Sequence, residues 1–172
     1  CAMYDELVEH ATASGFHQYE IANFAKDAVA NRPPSNFNPP SRACQHNLNY
    51  WRGADFHGLG PSATGYVRGV RTKNWSNTQL YCEQLEKGKR AIESREELAP
   101  LARAGETAAF GLRTTAGWPF EEFRRATGYD LREQWSADMT ACVQRGWGQI
   151  SADAFRLTSR GLRFADAAAE LF

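Results

Sequence analysis

His46, Asn47, Tyr50 and Trp51 fall within one six-residue run, His46-Asn47-Leu48-Asn49-Tyr50-Trp51, and the glycine-rich stretch Gly58-Leu59-Gly60-Pro61-Ser62-Ala63 follows closely. Imidazole holds iron well at neutral pH, and Tyr and Trp offer flat apolar faces with one polar handle each. A flat cofactor suits that set, with His46 as the metal ligand. Gly58 and Gly60 let the backbone approach a guest closely, and Ser62 adds a donor. The stretch lacks the Lys-Ser/Thr ending of a phosphate loop and does not open a helix as a dinucleotide fingerprint must. Each feature also has a plain structural reading: a histidine satisfied within the fold, an aromatic pair in a core, a bulged strand end. Cys44 and His57 lie near in sequence and widen the donor set. Glu20 and Asn23 close a predicted strand, where open α/β sheets bind ligands.

Composition narrows the partners. The 172 residues are 42% hydrophobic and 12% aromatic, enough to bury one good core with a small satellite. Twenty basic residues balance twenty acidic ones, so no overall field attracts nucleic acid or anionic membrane. Arg68, Arg71 and Lys73, and separately Arg156, Arg160 and Arg163, are expected to be a solvated face, and no nucleic-acid partner is expected. No apolar run reaches the roughly 20 residues of a membrane span, and no signal-peptide pattern opens the chain. A cytoplasmic location is expected. Cysteines at 1, 44, 82 and 142 are too scattered for a zinc or iron–sulfur motif and are expected to be reduced thiols.

The elements that must position these residues follow from periodicity. Tyr4, Leu7, Val8 and Ala11 predict a helix ended by Gly15, and residues 16–24 a strand. A helix and strand with no earlier strand to pair with predict the last αβ step of a larger parallel architecture, so the chain is expected to start mid-protein. The prolines and asparagines of 27–43 predict a surface loop. Short strands are expected at Tyr66-Val67 and Val70 to Trp75, then a helix capped by Asn77 and ended near Gly88. Leu98 to Leu112 predicts a helix, and Pro119 opens another holding Phe120 and Phe123 to Gly128. Asp130 and Glu133 predict a capping box for one continuous helix with Leu131, Trp135, Met139 and Val143 on its buried face. A hairpin, Trp147–Ile150 with Ala154–Leu157, and a helix with Leu162, Ala165 and Ala169 complete a winged-helix-like module.

Three ordered motifs carry a family resemblance: Tyr19-Glu20-Ile21-Ala22-Asn23-Phe24-Ala25, Cys44-Gln45-His46-Asn47-Leu48-Asn49-Tyr50-Trp51-Arg52, and Gly58-Leu59-Gly60-Pro61-Ser62-Ala63. With Phe110-Gly111-Leu112-Arg113 and Leu157-Thr158-Ser159-Arg160-Gly161, they resemble the C-terminal half of the oxygen-independent coproporphyrinogen III oxidase-like radical SAM proteins, closest to the heme-chaperone branch. The resemblance implies an α+β fold: the last αβ element of a truncated radical SAM barrel (1–26), a connecting region with a small mixed strand region (27–95), and a helical winged-helix-like C-terminal domain (96–172). It implies heme bound by His46, Asn47, Tyr50 and Trp51, with Glu20, Asn23, Gly58, Gly60 and Ser62 shaping a cofactor or substrate pocket. The implied partners are heme or porphyrin, the N-terminal barrel of the same protein and a heme-acceptor protein. The family's CxxxCxxC triplet, which holds a 4Fe-4S cluster for S-adenosylmethionine, is absent from this chain. The family also often has His where Thr64 stands and Ser where Gly65 stands. No catalytic residue is assigned. Heme transfer is the expected role, and oxidative decarboxylation of coproporphyrinogen III by the whole protein is the alternative.

Overall fold

Gly15, at φ +76°, takes the left-handed conformation that glycine adopts freely, and it separates the first helix, α1 (Ala2–Ala13), from strand β1 (His17–Glu20). The computed structural model describes residues 2–27 and 39–172. The single strand expected over 16–24 is instead a hairpin, in which the chain turns at Ile21-Ala22 into β2 (Asn23–Ala25), antiparallel to β1. Glu20 causes the turn. Its carboxylate accepts the backbone N–H of Ala22 at 3.0 Å and the side-chain amide of Asn23 at 2.6 Å, a local bond that competes with strand extension. Among the described residues β1 and β2 form a two-stranded antiparallel sheet. The loop expected over 27–43 falls mostly at 28–38, outside the described residues.

Helix α2 (Gln45–Trp51) was not legible as an element, yet it carries the whole His-Asn-Leu-Asn-Tyr-Trp run. Seven residues are too few for helical periodicity to declare itself. Packing holds the helix instead: Leu48 rests on a small core of Tyr19, Ala25 and Ala43. A second sheet runs antiparallel in the order β3 (Thr64–Val67), β4 (Val70–Asn74) and β5 (Ile92–Glu97). Helix α3 (Thr78–Glu86) connects β4 to β5, and the Asn77 side chain caps it by accepting the Leu80 N–H at 3.0 Å. Strand β5 was not expected, because Ile92-Glu93-Ser94-Arg95-Glu96-Glu97 has almost no apolar alternation. Its partner supplies the pattern: Arg71 on β4 meets Glu96 at 2.6 Å, and Lys73 meets Glu93 at 3.9 Å.

The last third holds the main core. Helix α4 (Pro100–Gly111) lies within the expected Leu98 to Leu112, and Pro100 stands in its first turn. After it come β6 (Trp118–Pro119), α5 (Phe120–Thr127), α6 (Leu131–Gln134), α7 (Ser136–Gln144), β7 (Gly148–Ile150), β8 (Ala154–Leu157), α8 (Ser159–Leu162) and α9 (Ala165–Ala169). The expected hairpin is present as β7 and β8, and β6 joins it to give the antiparallel order β6-β8-β7. The long helix expected from Asp130 is broken at Trp135, whose backbone leaves the helical region at φ −125°. There the Trp135 indole donates to the Phe172 carbonyl at 3.1 Å and stands edge-on to Phe123. Asp130 caps through the Arg132 N–H rather than through a box closed by Glu133. The terminal helix is likewise split in two, at Arg163-Phe164. The buried face nevertheless follows the sequence pattern, since Leu131, Trp135 and Met139 all join Trp118, Phe123 and Phe155 in one core. Val143 stays exposed, and Cys142 takes the buried place beside it.

Candidate functional site

Positions four apart on a helix share a face, so α2 presents His46 and Tyr50 together and turns Asn47 and Trp51 to another side. His46 and Asn49 are exposed, and Tyr50 is 36% exposed. Tyr50 anchors an aromatic group drawn from three elements and the loop that follows α2. Its ring centroid lies 4.9 Å from Trp51, 5.2 Å from Phe56 and 5.9 Å from Phe110 on α4, while Phe56 adjoins Tyr66 on β3 at 6.3 Å. Tyr50, Phe56, Tyr66 and Phe110 line a cavity of about 290 Å³, with the Arg71–Glu106 ion pair at its wall. Burial pushes the Tyr66 phenol upward, so it stays a neutral donor there.

Trp51 is held from the opposite side. The Arg113 guanidinium lies over its ring at 4.9 Å, Arg113 Nε is 3.7 Å from the Glu20 carboxylate, and Arg113 Nη1 reaches Asp166 at 2.7 Å. Glu20 is 2% exposed. The Glu20 turn and the aromatic helix are therefore joined through Arg113, a residue that sequence reasoning quoted in the Phe-Gly-Leu-Arg motif without assigning it to the site. Phe110, from the same motif, was likewise not foreseen as a wall of the cavity. The Trp51 indole nitrogen and Arg113 Nε are buried with no hydrogen-bond partner among the described residues.

The glycine-rich stretch does not line the cavity beneath Tyr50. The Asn74 side chain donates to the carbonyls of Gly58 and Gly60 at 3.2 and 3.0 Å, and the Ser62 N–H donates to Trp75. A Cβ at Gly58 would overlap the Thr64 backbone, so glycine is required for this close approach to β3. Among the described residues no group of three or more His, Cys, Asp or Glu side chains stands ready for a metal ion. His46 is a single exposed imidazole. Cys44, Cys82 and Cys142 are free thiols. No helix among the described residues is long and apolar enough to cross a membrane.

Residues 98–164 match the family model described as the HemN C-terminal domain. The relatives the chain resembles include the heme chaperone HemW of Bacillus subtilis, 28% identical over 92% of this chain and 38% of that protein. The heme chaperone HemW of Escherichia coli is 28% identical over 94% of this chain and 39% of its own length. The chain thus spans about two fifths of these relatives. A solved structure, the coproporphyrinogen III oxidase HemN of Escherichia coli, described as a radical SAM enzyme, superposes with a TM-score of 0.66. That likeness covers 97% of this chain and 39% of the other at 11% identity, and it establishes a shared mixed α+β fold.

Proposed function

We propose that this chain binds heme as cargo and forms the C-terminal part of a heme chaperone that passes it to an acceptor protein. The observation that carries the proposal is the exposed face of α2, where His46 and Tyr50 stand one turn apart with the aromatic group of Trp51, Phe56 and Phe110 beneath them. In this reading His46 ligates the iron, Tyr50 flanks the ring, and Asn47 and Trp51 shape the adjoining surface. The cavity beneath Tyr50 sits at the lower end of the roughly 300–1,000 Å³ of small-molecule pockets, so a macrocycle lies over α2 rather than inside the cavity. Glu20 and Asn23 fix the turn that backs Trp51 through Arg113, and Gly58, Gly60 and Ser62 set the strand beside Thr64. The exposed, transfer-ready position of His46 suits a protein that must release its cargo.

The same proposal divides the chain into the end of a radical SAM barrel (1–26), a connecting region (27–95) and a winged-helix-like domain (96–172). The 4Fe-4S cluster and S-adenosylmethionine then belong to a barrel whose cysteine triplet is not in this sequence, and the protein works in the cytoplasm. Oxidation of coproporphyrinogen III, the second reading, has only the shared fold in its favour. The test is a heme titration of the full protein and of its His46→Ala variant, followed by Soret absorbance. A saturable, near-stoichiometric shift that the variant loses, with its far-UV circular dichroism unchanged, is expected. Equal binding by the variant, or its failure to fold, would return His46 to a structural role.

A further inference from the structure

A second cavity, of about 450 Å³, opens between the end of α2, the β3–β4 turn and α4. Three arginines line it, Arg52, Arg68 and Arg103, against one carboxylate, Asp55. Arg52 is already engaged. It donates to the Gly117 carbonyl at 2.6 Å and lies 3.2 Å from Glu122. Asp55 is also committed, accepting the backbone N–H of Arg68 at 2.8 Å. The guanidinium groups of Arg68 and Arg103 have no carboxylate or carbonyl partner among the described residues. The contrast with the next cations along the sheet is sharp, because Arg71 pairs with Glu96 and Glu106 and Lys73 pairs with Glu93.

The backbone gives an independent reason to look here. Val67 pairs with Val70, so the hairpin closes through two residues, Arg68 at φ +52° and Gly69 at φ +81°. A turn with positive φ at both central residues favours Asn-Gly or Asp-Gly, and an arginine in the first position is strained there. Arg103 packs directly onto the Gly69 backbone, in space that any Cβ would fill. Glycine thus lets the α4 arginine reach the very turn that holds Arg68. The two unpaired cations converge on one rim. This cavity also shares Gly53, Tyr66 and Thr107 with the aromatic cavity beneath Tyr50, so a ring lying over α2 against Tyr50 can extend acidic arms to the two arginines.

We infer that Arg68 and Arg103 form a carboxylate-binding site that takes the propionate arms of a tetrapyrrole whose ring packs at Tyr50. The inference rests on the heme reading above and deepens it, but its test does without iron. Metal-free protoporphyrin IX, followed by its fluorescence, is titrated into the full protein and into the Arg68→Asn, Arg103→Gln and Lys73→Gln variants. Its dimethyl ester, which has the same ring without the charges, is titrated in parallel. Each arginine variant is expected to weaken protoporphyrin binding by at least about tenfold, the size of one lost charge-assisted hydrogen bond, with little change for the ester. Lys73→Gln removes an equal charge from a paired position and is expected to bind as the unaltered protein does. Asn fits the turn better than Arg, so Arg68→Asn keeps the fold. Equal affinity for acid and ester, full affinity in both arginine variants, an equal loss in Lys73→Gln, or no protoporphyrin binding would each overturn the site. Iron ligation by His46 is judged separately by the Soret titration and stands even if the arginine site falls.

Discussion

Single residues in this chain differ most in what their surroundings leave them free to do. Burial pushes the Cys142 thiol up, while Cys44 and Cys82 are exposed. Because the thiolate is the reactive form, iodoacetamide should modify Cys44 and Cys82 in the native protein and Cys142 only after denaturation. Mass mapping of the labelled peptides checks this, and native labelling of Cys142 would contradict the packing described. Glu20 shows the opposite situation. Its buried carboxylate serves the Ala22 N–H, the Asn23 amide and the Arg113 guanidinium together. Glu20→Ala removes the buried acceptor of the two turn hydrogen bonds, while Arg113 keeps Asp166, and should destabilise by about 1–3 kcal/mol. A urea titration measures the change, and no loss would mean that the turn holds without the carboxylate.

At the scale of elements, the caps are the most portable part of the sequence. Arg132 holds the Asp130 carboxyl at about 2, below its ordinary 3.8, so this group contributes stability above the unfolded value that fades as pH falls toward the folded one. Asp130→Ala should cost roughly 0.5–2 kcal/mol at pH 7, and the gap from the parent should narrow as pH drops from about 4 toward 2. Denaturant midpoints across that range read it out. Asn77, Gly15 and Gly128 marked their helix ends because capping depends on one or two residues and their immediate neighbours. What stayed illegible depends on distant ones. The seven residues of α2 and the charged β5 become elements through Leu48 on its small core and Glu96 on Arg71. The break at Trp135 answers to a carbonyl 37 residues away, and the Glu20 turn to a hydrogen bond that a strand pattern hides. The candidate site divides in the same way. His46, Tyr50 and Trp51 announced themselves by type, whereas Phe110, Arg103 and Arg113 enter only because α4 and its end fold back against α2.

Across the whole molecule, one aromatic core ties the last third together, with Trp118, Phe123 and Phe155 fully buried. The approach of α4 to β6 is so close that the Trp118 indole occupies the space a side chain at Gly111 would need, while its N–H donates to the Thr107 and Ala108 carbonyls. Gly111→Ala should therefore overpack the core and cost about 1–3 kcal/mol, visible as a lower melting temperature. An unchanged melt would mean that Trp118 has room to shift.

The outer strand of the second sheet carries a further consequence, for solution behaviour. An open strand edge is a template on which another chain can zip its own backbone, and β5 lies at such an edge among the described residues. Its side chains from Glu93 to Glu97 are exposed and mostly charged, so a second copy approaching in register would meet a row of ions that it would have to strip of water. The composition that hid β5 from sequence analysis thus acts as a guard against fibrous self-association. Replacing Glu93 and Arg95 with valine would remove the guard while suiting the strand itself, and light scattering should then rise with protein concentration.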